Sequence, residues 1–175
     1  MTRLIVLSLI ASVLSMQAAS DAFQAKAKKD PARAPNYGKY DFSYTTLDGK
    51  SLRLSEHGGK VVLVNIWAPW CGPCKLEMPG FVNVYKQYRD RGFELLSVAI
   101  STNESDVRAF VKKYGVTWPV GIKDEVGRQY KAYGIPDSYL FNPDGSVANH
   151  FVGYTTEATL NTAINEALGK FRKSN

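Results

Sequence analysis

Cysteine and histidine are scarce in this 175-residue chain, with two of each. Two thiols cannot staple a small fold together. A zinc or copper centre needs more ligands than two thiolates, and His57 and His150 stand without motif spacing, as surface residues would. There is no internal repeat, so a solenoid or propeller is excluded. No aromatic residues interleave with the one basic cluster, Lys26, Lys28 and Lys29. That cluster reads as a solvated linker, and nucleic-acid binding is not expected.

At 45% hydrophobic and 22% charged residues, the composition is that of an ordinary globular protein. Arg3 is the only charge among the first twenty residues. An apolar run from Leu4 to Met16 follows it, then the small residues Ala18-Ala19-Ser20. This is the pattern of an export signal over residues 1–20. The uncharged stretch from Leu4 to Ser20 is 17 residues, at the lower edge of the about 20 that span a bilayer. An uncleaved membrane tether is therefore the alternative to cleavage. Residues 21–40, rich in Ala, Lys and Pro, read as a linker, and residues 41–175 as the folded domain. Export places the cysteines in an oxidising compartment. A disulfide across two residues removes little chain entropy, so the pair suits exchange better than stapling.

Regular elements begin after Asp41. Asp48-Gly49 marks a hairpin turn, and Val61 to Trp67 is a strand buried on both faces. A helix starts near Cys71, carries Phe81, Val84, Tyr85 and Tyr88 at helical spacing, and should be kinked at Pro79. Phe93 to Ile100 is a second buried strand, Asn103 to Tyr114 a helix, and Trp118 to Gly121 a short strand. Glu125 to Tyr133 is a short helix closed by Gly134. Ser138 to Phe141 and Val147 to Val152 form a hairpin through Asn142-Pro143-Asp144-Gly145. A last helix runs from Thr156 to Leu168 and ends at Gly169. Strands alternate with helices and then pair in a hairpin, so the class is α/β with a mixed sheet.

The informative segment is Trp67-Ala68-Pro69-Trp70-Cys71-Gly72-Pro73-Cys74-Lys75. It joins a buried strand to a helix. Cys71 falls at the helix N-terminus, where the dipole and free N–H groups favour a thiolate and lower its pKa below about 8.5. Cys71 is the expected attacking nucleophile. Cys74, one turn inward, would resolve the mixed disulfide, and Pro73 pre-sets the first turn.

This segment resembles the thioredoxin active site almost residue for residue. Gly59 to Asn65, CGPCKLEMP from Cys71 to Pro79, Trp118-Pro119-Val120 and Tyr133-Gly134-Ile135-Pro136 are similar to the exported TlpA/ResA/DsbE-like branch. The resemblance covers residues 41–168. It implies a thioredoxin fold, a mixed central sheet flanked by helices, with an N-terminal β-hairpin extension and an inserted βα unit. It implies that Pro136 is cis and faces the cysteines, and that Ile135 offers its backbone to an extended substrate. Trp70, Gly72 and Pro73 would complete the substrate surface. Glu77 matches the branch's active-site glutamate and would take the proton of Cys74. Asn65 stands where many cytosolic thioredoxins carry a buried aspartate, so another acceptor is needed. Asp137-Ser138 departs from the branch. A carboxylate beside the cysteines would oppose thiolate formation or select a basic substrate.

The resemblance implies a thiol–disulfide oxidoreductase in the periplasm or an equivalent extracytoplasmic space. It would reduce disulfides of exported proteins, with cytochrome c maturation the specific case. A monomer is expected, without a cofactor or metal, fed by a membrane thiol transporter of the CcdA/DsbD kind. A dithiol oxidase and a copper-handling chaperone are the competing readings.

Overall fold

The structure is a computed structural model that describes residues 35–173. The expected export signal, and the expected linker up to residue 34, lie outside the described residues. The end of that linker segment is part of the packed unit. Tyr37 is buried against Phe141, and the Tyr40 ring lies tilted against both Tyr130 and Tyr139. These aromatics have no strand or helix period, which hid their packing in the sequence.

Strands β1 (Ser43–Thr45) and β2 (Ser51–Arg53) form an antiparallel hairpin. The five-stranded sheet contains β3 (Val61–Trp67), β4 (Phe93–Ala99), β5 (Val120–Ile122), β6 (Asp137–Phe141) and β7 (Val147–Val152), in the order β5-β4-β3-β6-β7. β3, β4 and β5 are parallel, while β6 pairs antiparallel with both β3 and β7. The helices are α1 (Gly72–Tyr88), α2 (Glu104–Tyr114), α3 (Asp124–Tyr130) and α4 (Glu157–Lys173). β5 and α3 are the additional βα unit. None of the described helices is long and apolar enough to cross a membrane.

Every residue of β3 is buried, as its unbroken apolar run requires. Val61, Leu63 and Trp67 face a core built with α1, α2 and α4. Val62, Val64 and Ile66 face a second core with Phe42, Tyr44, Val126 and Tyr130. Each large apolar side chain buried here contributes about 1.5–3 kcal/mol. The central strand thus ties both layers together.

Three terminators differ from expectation. α3 closes at Lys131, in the left-handed conformation at φ 56°, three residues before Gly134. Its cap N–H reaches the carbonyls of Arg128 and Gly127. α4 runs through Gly169 to Lys173, because tertiary packing of Leu160, Ile164 and Leu168 outweighs one weak helix former. β5 begins two residues later than the apolar signal, since Trp118 turns its indole inward to Ser97 Oγ at 2.8 Å. His57 is half-buried, contrary to a surface placement. Its Nδ1 lies 3.9 Å from the Glu94 carboxylate, and burial lowers its pKa against that charge.

Gly121 on β5 has a specific reason to lack a side chain. A Cβ there would lie 2.4 Å from the Thr45 carbonyl and in the Tyr44 ring. The β1–β2 hairpin closes on β5 at this point, through a bridge from Thr46 to Gly121 and the Leu47 N–H to Val120 O bond at 2.8 Å.

Candidate active site

The strand β3 delivers the chain to a tight turn, where Cys71 N–H donates to Ala68 O. Cys71 then caps α1 with extended dihedrals. Its Sγ accepts the Cys74 N–H at 3.2 Å, and Gly72 and Pro73 fill the exposed first turn. Sulfur thus occupies the place an oxygen usually takes at a helix N-cap, where free N–H groups and the dipole favour negative charge. The two cysteines are joined in a disulfide with Cα atoms 5.3 Å apart. Cys74 is fully buried, and Cys71 retains a small exposed area.

The Ile135–Pro136 peptide bond is cis. Cys71 Sγ lies 3.5 Å from the Ile135 carbonyl oxygen, so this segment and the cysteine pair share one surface. Trp70 projects beside them. Its indole N–H donates to Ser101 O at 2.9 Å, and Ser101 holds a left-handed φ of 52°. Asp124 secures that turn by accepting the Ser101 N–H at 2.7 Å.

Glu77 lies one turn beyond Cys74 on the same face of α1. Its side chain is 2% exposed, in a polar seam under the disulfide. Asn65 Nδ2 donates to Glu77 Oε1 at 3.2 Å and to Ser138 Oγ at 3.0 Å. Thr155 N–H donates to Glu77 Oε2 at 3.3 Å. Ser97 Oγ donates to Asn65 Oδ1 at 3.4 Å and accepts from Trp118. Asn65 pairs in register with Ser97 on β4 and Ser138 on β6, which makes a polar row across three strands. Burial pushes the Glu77 carboxyl up to about 8, with the Thr155 and Asn65 hydrogen bonds opposing. Among these, Ser97, Ser138, Thr155 and Trp118 were not singled out from the sequence as site residues. Isolated small polar residues inside apolar runs carry that signal, but only with the register known.

Asp137 is not beside the cysteines. It follows the cis-proline on β6, and alternation puts it on the face of Tyr139 and Phe141, in the second core. Cys71, Cys74 and Glu77 lie on α1, across the sheet. The expected opposition to thiolate formation therefore does not arise. Of six large apolar side chains exposed among the described residues, Trp70 and Leu76 belong to the segment that carries the cysteines and Tyr133 lies two residues before Ile135, whereas Val152 pairs with Asp137 and shares its face.

The sequence pattern of the Redoxin family matches residues 18–165. The chain is 32% identical to the thiol-disulfide oxidoreductase ResA of Bacillus cereus over 162 residues, 90% of each chain. It is 34% identical to ResA of Bacillus subtilis, over 75% of this chain and 72% of that one. The crystal structure of a thiol:disulfide interchange protein of the thioredoxin family from Chlorobium tepidum superposes with a TM-score of 0.68. That match is at 32% identity and covers 74% of this chain and 94% of that one.

Proposed function

Because this chain belongs to the Redoxin family, as a ResA-like thiol–disulfide oxidoreductase of the thioredoxin superfamily, we propose that it reduces disulfides in exported polypeptides. The observation that carries this reading is the placement of the disulfide. Cys71 caps a helix, meets the cis-proline segment at 3.5 Å, and has a buried carboxyl one turn below.

The reaction runs from the dithiol form. The Cys71 thiolate attacks one sulfur of the client disulfide, and a client thiolate leaves. This forms the mixed disulfide. The Cys74 thiol then gives its proton to the Glu77 carboxylate and attacks Cys71 Sγ. The second client thiolate departs, and the Cys71–Cys74 disulfide remains. The client gains two electrons and the protein loses two. With its carboxyl at about 8, Glu77 keeps the transferred proton at neutral pH in the disulfide form. Asn65 cannot take this role, since its amide does not titrate. It orients the carboxyl instead.

The exposed indole of Trp70 beside the disulfide suits an extended polypeptide, with the Ile135 backbone as the edge it pairs with. Gly72-Pro73 between the cysteines supports a reducing potential near that of thioredoxin, about −270 mV, and not the about −120 mV of DsbA. The apolar leader supports an extracytoplasmic site of action. There a reductase needs a dithiol donor at the membrane, of the CcdA/DsbD kind. Apocytochrome c, with its cysteine pair oxidised to a reducible disulfide, is the specific client of this reading.

A Cys74→Ala variant, expressed with its leader, tests it. It should retain exported proteins as mixed disulfides on Cys71, and the mature chain should begin near Asp21. Equilibration of wild type with glutathione buffers should give a potential near −270 mV. A potential near −120 mV would make the protein an oxidase and overturn the proposal.

A further inference from the structure

The Asp137 carboxylate is 3% exposed and has a partner the exchange mechanism does not use. His150 Nε2 on β7 lies 2.5 Å from Asp137 Oδ1. The two residues are diagonal across the β6–β7 ladder, where Asp137 pairs with Val152 and His150 with Tyr139. The His150 ring also stacks on Tyr139, with centroids 3.9 Å apart. A histidine on an outer strand is thereby fixed on two sides.

The position of this contact matters. Asp137 is bonded to Pro136, and Pro136 O accepts the Gly153 N–H at 2.8 Å. The cis-proline segment is thus held by one backbone bond to Gly153, just past β7, and, one residue on, by Asp137, which pairs with Val152 and Ile66 in the sheet and adds the His150–Asp137 bond. On its other side, Ile135 meets Cys71 Sγ. Proline lacks an N–H, so Pro136 adds no ladder bond of its own. A cavity of about 360 Å³ opens beside the segment, lined by Tyr133, Gly134, Asp137, Tyr139, His150 and Val152 among others. There is space for the segment to shift if the side-chain bond is lost.

We propose that the Asp137–His150 pair is a clasp that positions the Ile135–Pro136 segment, and so sets how tightly a polypeptide client is held, without entering the exchange at sulfur. The inference rests on the polypeptide-client reading above. A client that pairs with Ile135 needs that backbone in place before the sulfurs react. A small disulfide needs only Cys71. The clasp survives either state of the imidazole, because Nε2–H donates to the carboxylate from imidazole and imidazolium alike. It weakens when Asp137 itself takes a proton, because the bond then loses its charge. Burial raises that carboxyl, with the His150 hydrogen bond opposing. The other titratable groups lining the site are Tyr40, Tyr130, Tyr133, Tyr139, Lys39 and Lys131.

The test is single-turnover oxidation of the reduced protein by an extended peptide disulfide and, separately, by bis(2-hydroxyethyl) disulfide. His150→Ala should raise the half-saturating peptide concentration about tenfold, with the saturating rate and the small-disulfide rate within about twofold of wild type. His150→Gln, which keeps a donor, should recover most of the loss. Asp137→Ser/His150→Ala removes the buried charge along with its partner, so it serves if the single variant folds poorly, and it should show the same selective loss. The wild-type half-saturating concentration should rise in acid, and that of the double variant should not. Equal slowing with both substrates, or a wild-type peptide concentration dependence in the variants, would overturn the clasp.

Discussion

Glutamine at position 77 should change how the oxidised protein's stability depends on pH. The carboxyl moves from its ordinary 4.5 to about 8 on folding, because burial penalises its charge more than Asn65 and Thr155 relieve it. A folded value above the unfolded one means that the folded state holds a proton the unfolded state has lost. This stabilisation is full below pH 4.5 and disappears as pH rises through 8. At 1.36 kcal/mol per pH unit the whole change is about 5 kcal/mol, of which about 4 falls between pH 5 and pH 9. Glu77→Gln removes the titration and keeps the shape. Urea denaturation of the disulfide form, without reductant, measures both proteins at the two pH values. The stability difference should move by about 4 kcal/mol in the variant's favour on going to pH 9. In stopped-flow reduction of a model disulfide, the same variant should leave the first attack nearly unchanged. It should slow resolution by about 10²–10⁴-fold. Parallel pH profiles for the two proteins would show that the carboxyl ionises as in water, and the argument for a proton held at Glu77 would fall.

Brief iodoacetamide treatment of the reduced protein should label Cys71 well before Cys74, since Cys74 has no exposed surface. Peptide mass spectrometry reads this, and faster labelling of Cys74 would reverse the assignment of nucleophile and resolving thiol. Gly121→Ala should lower stability by about 1–3 kcal/mol through its clash with Tyr44 and Thr45, with single-turnover rates on a small disulfide kept. An unchanged urea midpoint would mean that the hairpin docks without close contact. In the Glu77→Gln background, Asn65→Asp should restore part of the resolution rate by returning a titratable group to the seam, as pH–rate profiles from pH 5 to 9 would show.

Much of the molecule is legible in its residues. The apolar run of β3, the helix start at Cys71 and the Asp48-Gly49 turn are local signals with local causes, and the structure follows them. Glu77 was found through the resemblance around CGPCKLEMP. Its pairing with Asn65 follows because strand and helix face each other there. The rest of the seam depends on register. Ser97 and Ser138 become partners of Asn65 only when three strands align, and nothing within either strand indicates the alignment. Asp137 shows the same limit more sharply. Adjacency to Pro136 suggested adjacency to the cysteines, but strands alternate faces, and the sheet separates the carboxylate from the disulfide. Lys131 capped a helix that Gly134 was expected to close, because local bonds from its N–H to the Arg128 and Gly127 carbonyls hold a lysine at positive φ where a nearby glycine looks the simpler choice.

The contact of the β1–β2 hairpin with Gly121 also bears on self-association. A five-stranded open sheet has two borders, each a row of unpaired peptide groups on which a foreign strand can grow. The bridge from Thr46 to Gly121 and the Leu47–Val120 bond occupy the β5 border, so this sheet can extend in one direction only. Among the described residues the remaining border is β7, where Val147 and Val152 are exposed and no lysine or proline interrupts Val147–Val152. If the hairpin were displaced, the molecule would pass from a chain terminator to a two-sided building block. Fibrillar stacking under destabilising conditions should therefore be set by how firmly the hairpin is seated, not by the redox state of the cysteines.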